Sequence, residues 1–294
     1  MNFTDALEEA LLARDLPIIT FYDFFVLGER IFSTKKWGEH FLKRLPHNWD
    51  YSRARNAIKR MEERQALVPD SNFRSFVWRV TQSTRAGSAE EIICISDPFS
   101  YVSHLSAMHK YGLTNRSPEA LQITTPKRKL WNSMQEERIK KDLPSLATFE
   151  PKLMFRPHYN EFVRRRKVST HTTSSPWKPA KLAGEETRIT TIAQTFADML
   201  LQPALCGGMR HVLDVWAKEA TIWADEIIEA INKHKSKIIK VRAGYIFTEV
   251  LEITDPRITL WKTNAQRGGS QKLDPENDYS ANYSETWMIS INVD

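Results

Sequence analysis

Between residues 50 and 83 the chain reads DYSRARNAIKRMEERQAL and then VPDSNFRSFVWRVTQS, and no other stretch limits the possible folds as much. Projected at about 100° per residue, Ala54, Ala57, Ile58 and Met61 share one face, as in a helix laid on a core. Arg53, Arg55, Asn56, Lys59, Arg60 and Glu63 occupy the rest of the circumference. After a turn at 69–72, the β-branched and aromatic run FVWRV reads as a strand. Upstream, TDALEEALLA (4–13) reads as a helix capped by Thr4 or Asp5, TFYDFFVLGERIF (20–32) as a second, and STKKWGEHFLKRL (33–45) as a third that stops at Pro46. Helices followed by a helix–turn–helix pair and a hairpin are the layout of a winged helix–turn–helix domain, placed at residues 1–85. Residues 68–81 take the position of the wing.

The arginines of 50–67 lie at the end of the helix where its dipole disfavours cations. A recognition helix removes that conflict, because its N-terminal turns face phosphates and base edges. Arg and Asn also make bidentate contacts to guanine and adenine. Arg53, Arg55, Asn56, Lys59 and Arg60 are therefore the candidate contacts to double-stranded DNA, with Arg74 and Arg79 anchoring the wing. The competing reading is a solvated helix face, since Lys and Arg mixed with Glu are common there. Charge distribution favours the first. The formal net charge of +6 is uneven: 43–85 and 151–190 each carry +6, while 1–42 and 191–294 each carry −3.

TRAGSAEE (84–91) is small and polar, and it marks the start of a larger mixed α/β domain at 86–294, giving an α+β chain overall. IICIS reads there as a buried strand, 97–113 as a helix stopped by Gly112, LQITTP (121–126) as a strand, and 151–175 as strands. Residues 188–234 are helical with breaks at Pro203 and Gly207-Gly208, KVRAGYIFTEVLEI reads as a helix end passing into a strand, and TWMISINV as a terminal strand. Val212, Leu213, Trp216, Trp223, Ile227, Ile228 and Ile231 are most simply core. Nine Trp, fourteen Phe and 41% hydrophobic residues argue against disorder. No apolar run is long enough to span a membrane, no signal peptide is legible, and two lone cysteines fit a reducing cytoplasm.

Arg164, Arg165, Arg166 and Lys167 read as strand residues, with Arg164 and Arg166 on one side. They form a second phosphate-binding surface, a surface for an acidic protein, or simply a charged edge that resists aggregation. KTNAQRGGSQKLDP (262–275), with Arg267, Ser270 and Lys272, reads as a surface loop more readily than as a phosphate cradle, because it lacks P-loop spacing. No metal-ligand spacing or cofactor motif is present, and no nucleophile–base pattern points to an enzyme. Glu90, Glu91 and Asp97 resemble a nuclease carboxylate set, but capping accounts better for Asp97.

The winged helix, then SYVSHLSAMHKYGLT (100–114), then RITTIAQTFADMLLQPALCGGMRHVL (188–213) with its Pro and Gly pair, together resemble the AbiEi-type antitoxins of bacterial type IV toxin–antitoxin, or abortive-infection, systems. The charged stretch 127–150 has no counterpart in that resemblance. The resemblance implies a transcriptional repressor that binds inverted repeats upstream of its own operon, as monomer or dimer, and counteracts a nucleotidyltransferase-like toxin in phage defence. The alternatives are a protein that neutralises a toxin without binding DNA, and a DNA-targeted nuclease.

Overall fold

The computed structural model describes residues 1–144, 151–265 and 271–293. Helix α1 (Phe3–Arg14) is capped by Asn2, not by Thr4 or Asp5. The Asn2 side chain accepts from the Asp5 N–H, and the Asp5 carboxylate accepts in return from the Asn2 N–H. Strand β1 (Ile18–Thr20) passes into α2 (Phe21–Thr34), with the Thr20 hydroxyl accepting from the Asp23 N–H. The helix expected at 33–45 does not form. Thr34 donates its hydroxyl back to the Arg30 carbonyl, Lys35 turns left-handed at φ 56°, and a small hairpin follows, β2 (Lys36–Trp37) and β3 (His40–Phe41). Gly38, at φ 55°, sits at its turn, a conformation an L side chain resists.

Helix α3 (Tyr51–Glu63) buries Ala54, Ala57, Ile58 and Met61, the face expected from their spacing. Its start is fixed by the preceding Trp49, whose indole N–H donates to the Phe25 carbonyl at 2.9 Å and whose ring packs against Phe3 and Phe25. Gly28 makes that seat possible, because a Cβ there would lie 2.2 Å from the indole. Strands β4 (Leu67–Pro69) and β5 (Val77–Val80) complete an antiparallel sheet in the order β1-β5-β4.

Helix α4 (Ala89–Ser96) replaces the expected strand IICIS; a short apolar run is ambiguous by periodicity, and the Ser88 cap decides for helix. Next come β6 (Tyr101–Val102), α5 (His104–Lys110), β7 (Leu121–Pro126), α6 (Arg128–Asp142), β8 (Phe162–Val163), β9 (Arg166–Thr173), β10 (Ala180–Lys181) and β11 (Arg188–Ile189). The helix expected over 97–113 is thus shortened to α5, and Gly112 follows it at φ 71°. Helices α7 (Ile192–Leu201), α8 (Met209–Glu219), α9 (Ala224–Lys233), α10 (Lys237–Tyr245) and α11 (Pro256–Trp261) come next, then β12 (Tyr283–Ser284) and β13 (Ile289–Ser290). A 3-10 turn at Pro203–Cys206 and left-handed Gly207 and Gly208 separate α7 from α8. In place of the strand expected directly after it, α10 continues into a π-helical turn at Ile246–Val250. The terminal strand is only the short β13.

The described chain is a mixture of helix and strand, consistent with an α+β class. Two compact units emerge. Unit one holds Met1–Ser100, Thr125–Ser174 and Leu182–Arg188; unit two holds Tyr101–Thr124, Ser175–Lys181 and Ile189–Asp294. The chain therefore crosses between units repeatedly. In unit one, Trp131, Ile139, Leu143, Leu153 and Met154 join the same core as Phe3, Phe25, Trp49 and Met61. In unit two, Trp216 lies edge-on to Phe196 and Phe247 at 5.3 Å each, among α7–α10. Val212, Ile227, Ile228 and Ile231 are buried there, and Leu213 and Trp223 are partly buried. Cys94 and Cys206 are buried free thiols, each with its pKa pushed up by burial. Among the described residues no helix is long and apolar enough to cross a membrane.

Candidate nucleic-acid interface

The Asp50 carboxylate caps α3 by accepting from the Arg53 N–H at 2.8 Å. That one acid, placed outside the first turn, offsets the dipole there and leaves the turn itself free to carry arginines. Asn48 ties the corner together, donating to Asp50 at 2.7 Å and accepting from Arg53 Nε at 2.6 Å. Beyond it Arg53, Arg55, Asn56, Lys59 and Arg60 are all exposed on the side opposite Ala54, Ala57, Ile58 and Met61. None of the four cations is in an ion pair among the described residues. Glu62 is turned away from them, accepting from the Trp78 indole N–H at 2.6 Å.

The loop between β4 and β5 lies beside this face. Its Phe76 ring carries the Arg55 guanidinium at 5.8 Å, a cation–π contact that joins helix to loop. Phe76 itself is left-handed at φ 63°, with its carbonyl accepting from the Phe21 N–H and its ring stacked on Phe155 at 4.4 Å. Arg74 is exposed in the loop. Arg79 is exposed too, but it sits on the middle strand between Ile18 and Val68, not in the loop.

The loop is held from behind by a distant part of unit one. Asp70, 2% exposed, ion-pairs with Arg164 at 2.6 Å. Arg164 also donates to the Asn72 side chain at 2.7 Å, the Asn160 N–H donates to the Asn72 carbonyl, and the Arg74 N–H donates to the His158 carbonyl. Sequence reasoning missed this clamp; only the acid–arginine pairing of Asp70 with a far-off basic run would have signalled it. It also corrects the strand assigned to the basic run. Arg164 and Arg165 are the two-residue turn between β8 and β9, with φ 48° and 63°, so strand alternation begins only at Arg166. Two positive φ values suit a primed hairpin turn, an unusual place for arginine. Arg165 is exposed, Lys167 pairs with Glu161 at 3.2 Å, and Arg166 is half-buried.

Other candidates fall elsewhere. Arg267 and Ser270 of the 262–275 loop lie outside the described residues, and Lys272 donates to the Asn277 carbonyl. Asp97 is buried, accepting from Thr125, Trp131 and the Phe99 N–H, which occupies it structurally. Both basic stretches fall largely in unit one. By formal charge, that unit carries the whole excess of +6 and unit two is neutral.

The class these features define is a two-unit protein of mixed helix and strand with a cationic helix face. No family model matches the chain, and no curated protein matches it. Among solved structures it is similar to the RV2827C protein from Mycobacterium tuberculosis, at 12% identity and a TM-score of 0.47, over 98% of this chain and 90% of that one.

Proposed function

We propose that the chain is a DNA-binding transcriptional repressor, acting as the antitoxin of a bacterial toxin–antitoxin operon. The observation that carries the DNA half is the exposed row Arg53, Arg55, Lys59 and Arg60 on α3, in no ion pair among the described residues and joined through Arg55 to the adjoining loop. The element order α1–β1–α2–β2–β3–α3–β4–β5, with β1 paired to β5 and the small β2–β3 hairpin inserted between α2 and α3, supports a winged-helix reading by fold-level analogy. On that reading α3 enters the major groove and residues 68–81, with the loop between β4 and β5 at their tip, are the wing. The antitoxin half rests on the resemblance of 100–114 and 188–213 to AbiEi-type proteins, and its partner is a nucleotidyltransferase-like toxin. No catalytic step belongs to the proposal.

Fluorescence anisotropy on duplex DNA from upstream of the gene, against scrambled duplex and across a salt series, tests the DNA half. Sequence-preferring binding is expected, with a log–log salt slope of about 0.9 per phosphate neutralised. The Arg53→Ala/Arg55→Ala variant should bind about tenfold or more weakly and with a shallower slope. Equal affinity for both duplexes, or an unchanged variant, would sink this reading and favour a neutraliser that works by protein contact alone.

A further inference from the structure

Unit one contains a cleft of about 820 Å³, within the range of small-molecule sites. Its cations outnumber its acids: Arg128, Arg138, Lys152 and Arg156 line it against Asp23 alone. Arg138 is already compensated, paired with Asp23 at 3.6 Å and Asp142 at 3.2 Å. Arg128, Lys152 and Arg156 have no ion pair among the described residues. Helix α6 begins at the cleft with Arg128, and no side chain caps its first turn, so the helix dipole adds to the same positive field. The cleft also holds the stacked Phe76–Phe155 pair, inclined by 18°, and Phe155 leaves 41% of its surface open. Uncompensated guanidinium groups favour phosphate, and an open aromatic face favours a planar ring.

We propose that this cleft binds a nucleoside diphosphate, with its phosphates on Arg128, Lys152 and Arg156 and its base against Phe155. A second step rests on the DNA-binding reading. Phe76 carries Arg55 of α3 as well as Phe155, so an occupied cleft changes the footing of a DNA-contacting arginine.

The test is isothermal titration of the full chain, without DNA, using ADP and GDP, with pyrophosphate and adenosine as controls. At least one diphosphate should bind saturably with Kd below about 1 mM, and each control at least about tenfold more weakly. Arg128→Ala/Arg156→Ala and Phe155→Ala should each lower affinity about tenfold or more. Lys152→Glu, at an exposed position, reports the same loss should a truncation fail to fold. No saturable binding of either diphosphate, unchanged affinity in the variants, or adenosine binding as tightly as ADP would overturn the proposal. So would displacement of ADP by pentathymidylate at lower concentration than ADP itself needs, which makes the cleft part of a nucleic-acid track. Because no DNA duplex is present, a null result here leaves the anisotropy result untouched, and the converse holds.

Discussion

Asp70 has no side-chain exposure, and its carboxylate is met by Arg164 and by the Asn72 N–H. Removing the cation strands a buried charge, a loss of about 3–5 kcal/mol where burial is complete. Arg164 is 23% exposed, so water tempers that figure; Arg164→Ala is expected to cost about 2–3 kcal/mol in urea unfolding. Its neighbour Arg165 touches none of these groups, and Arg165→Ala should stay within about 0.5 kcal/mol. Equal effects would mean that the basic run is not divided between a structural and a surface role. In unit two, burial pushes the Asp198 pKa up to about 7, while the Trp177 indole N–H donating at 2.6 Å and the His104 N–H pull it down. Burial pushes the His104 imidazole down to about 4. Between about pH 4 and 7 the folded chain keeps a proton on Asp198 that the unfolded chain has released, so this group makes stability fall as pH rises. Between about pH 4 and 6.5 the unfolded chain holds a proton on His104 that the folded chain lacks, so that group makes stability rise. The two slopes oppose each other in the native protein. Asp198→Asn should therefore gain urea resistance from about pH 4.5 to 6.5, and His104→Gln should lose it over the same range. Parallel profiles for the two variants would contradict this assignment.

At the scale of single elements, Gly28 on α2 sets where α3 begins. Gly to Ala in an open helix gains about 1 kcal/mol. Here the added methyl collides with Trp49, whose other sides are occupied by Phe3, Phe24 and Phe25. Gly28→Ala is expected to reverse the sign and destabilise by about 1–3 kcal/mol, read from the urea midpoint; a stabilised variant would show that the indole has room to move. The same elements show what the sequence made legible. Helix α3 was readable because four apolar residues at helical spacing have one place to go, and Gly112 and the Gly207-Gly208 pair were readable as helix breaks because positive φ falls to glycine. The segment 33–45 misled because its stop, Lys35 in a left-handed conformation, carries no glycine to announce it. IICIS misled because five residues are too few to separate periods of 2 and 3.6.

For the molecule as a whole, charge was the feature that sequence reported best. Two basic stretches about seventy residues apart fall largely in one unit, and the other unit is neutral. The candidate interface was half legible: the helix face followed from spacing, while the loop's support did not, because ion pairs between distant segments leave no periodic trace. The cleft was illegible for the same reason, being lined by residues from 20 to 158. Both non-local features depend on the part of unit one that follows residue 125. That dependence has a consequence for synthesis. The chain leaves the ribosome from its N-terminus, at about 5–20 residues per second. Helix α3 and its sheet are therefore complete in sequence several seconds before Arg164 emerges to hold Asp70 and Asn72. A nascent chain of that age has the cationic helix without the backing of its loop. Any activity that needs both arrives late in translation, as a property of the finished molecule.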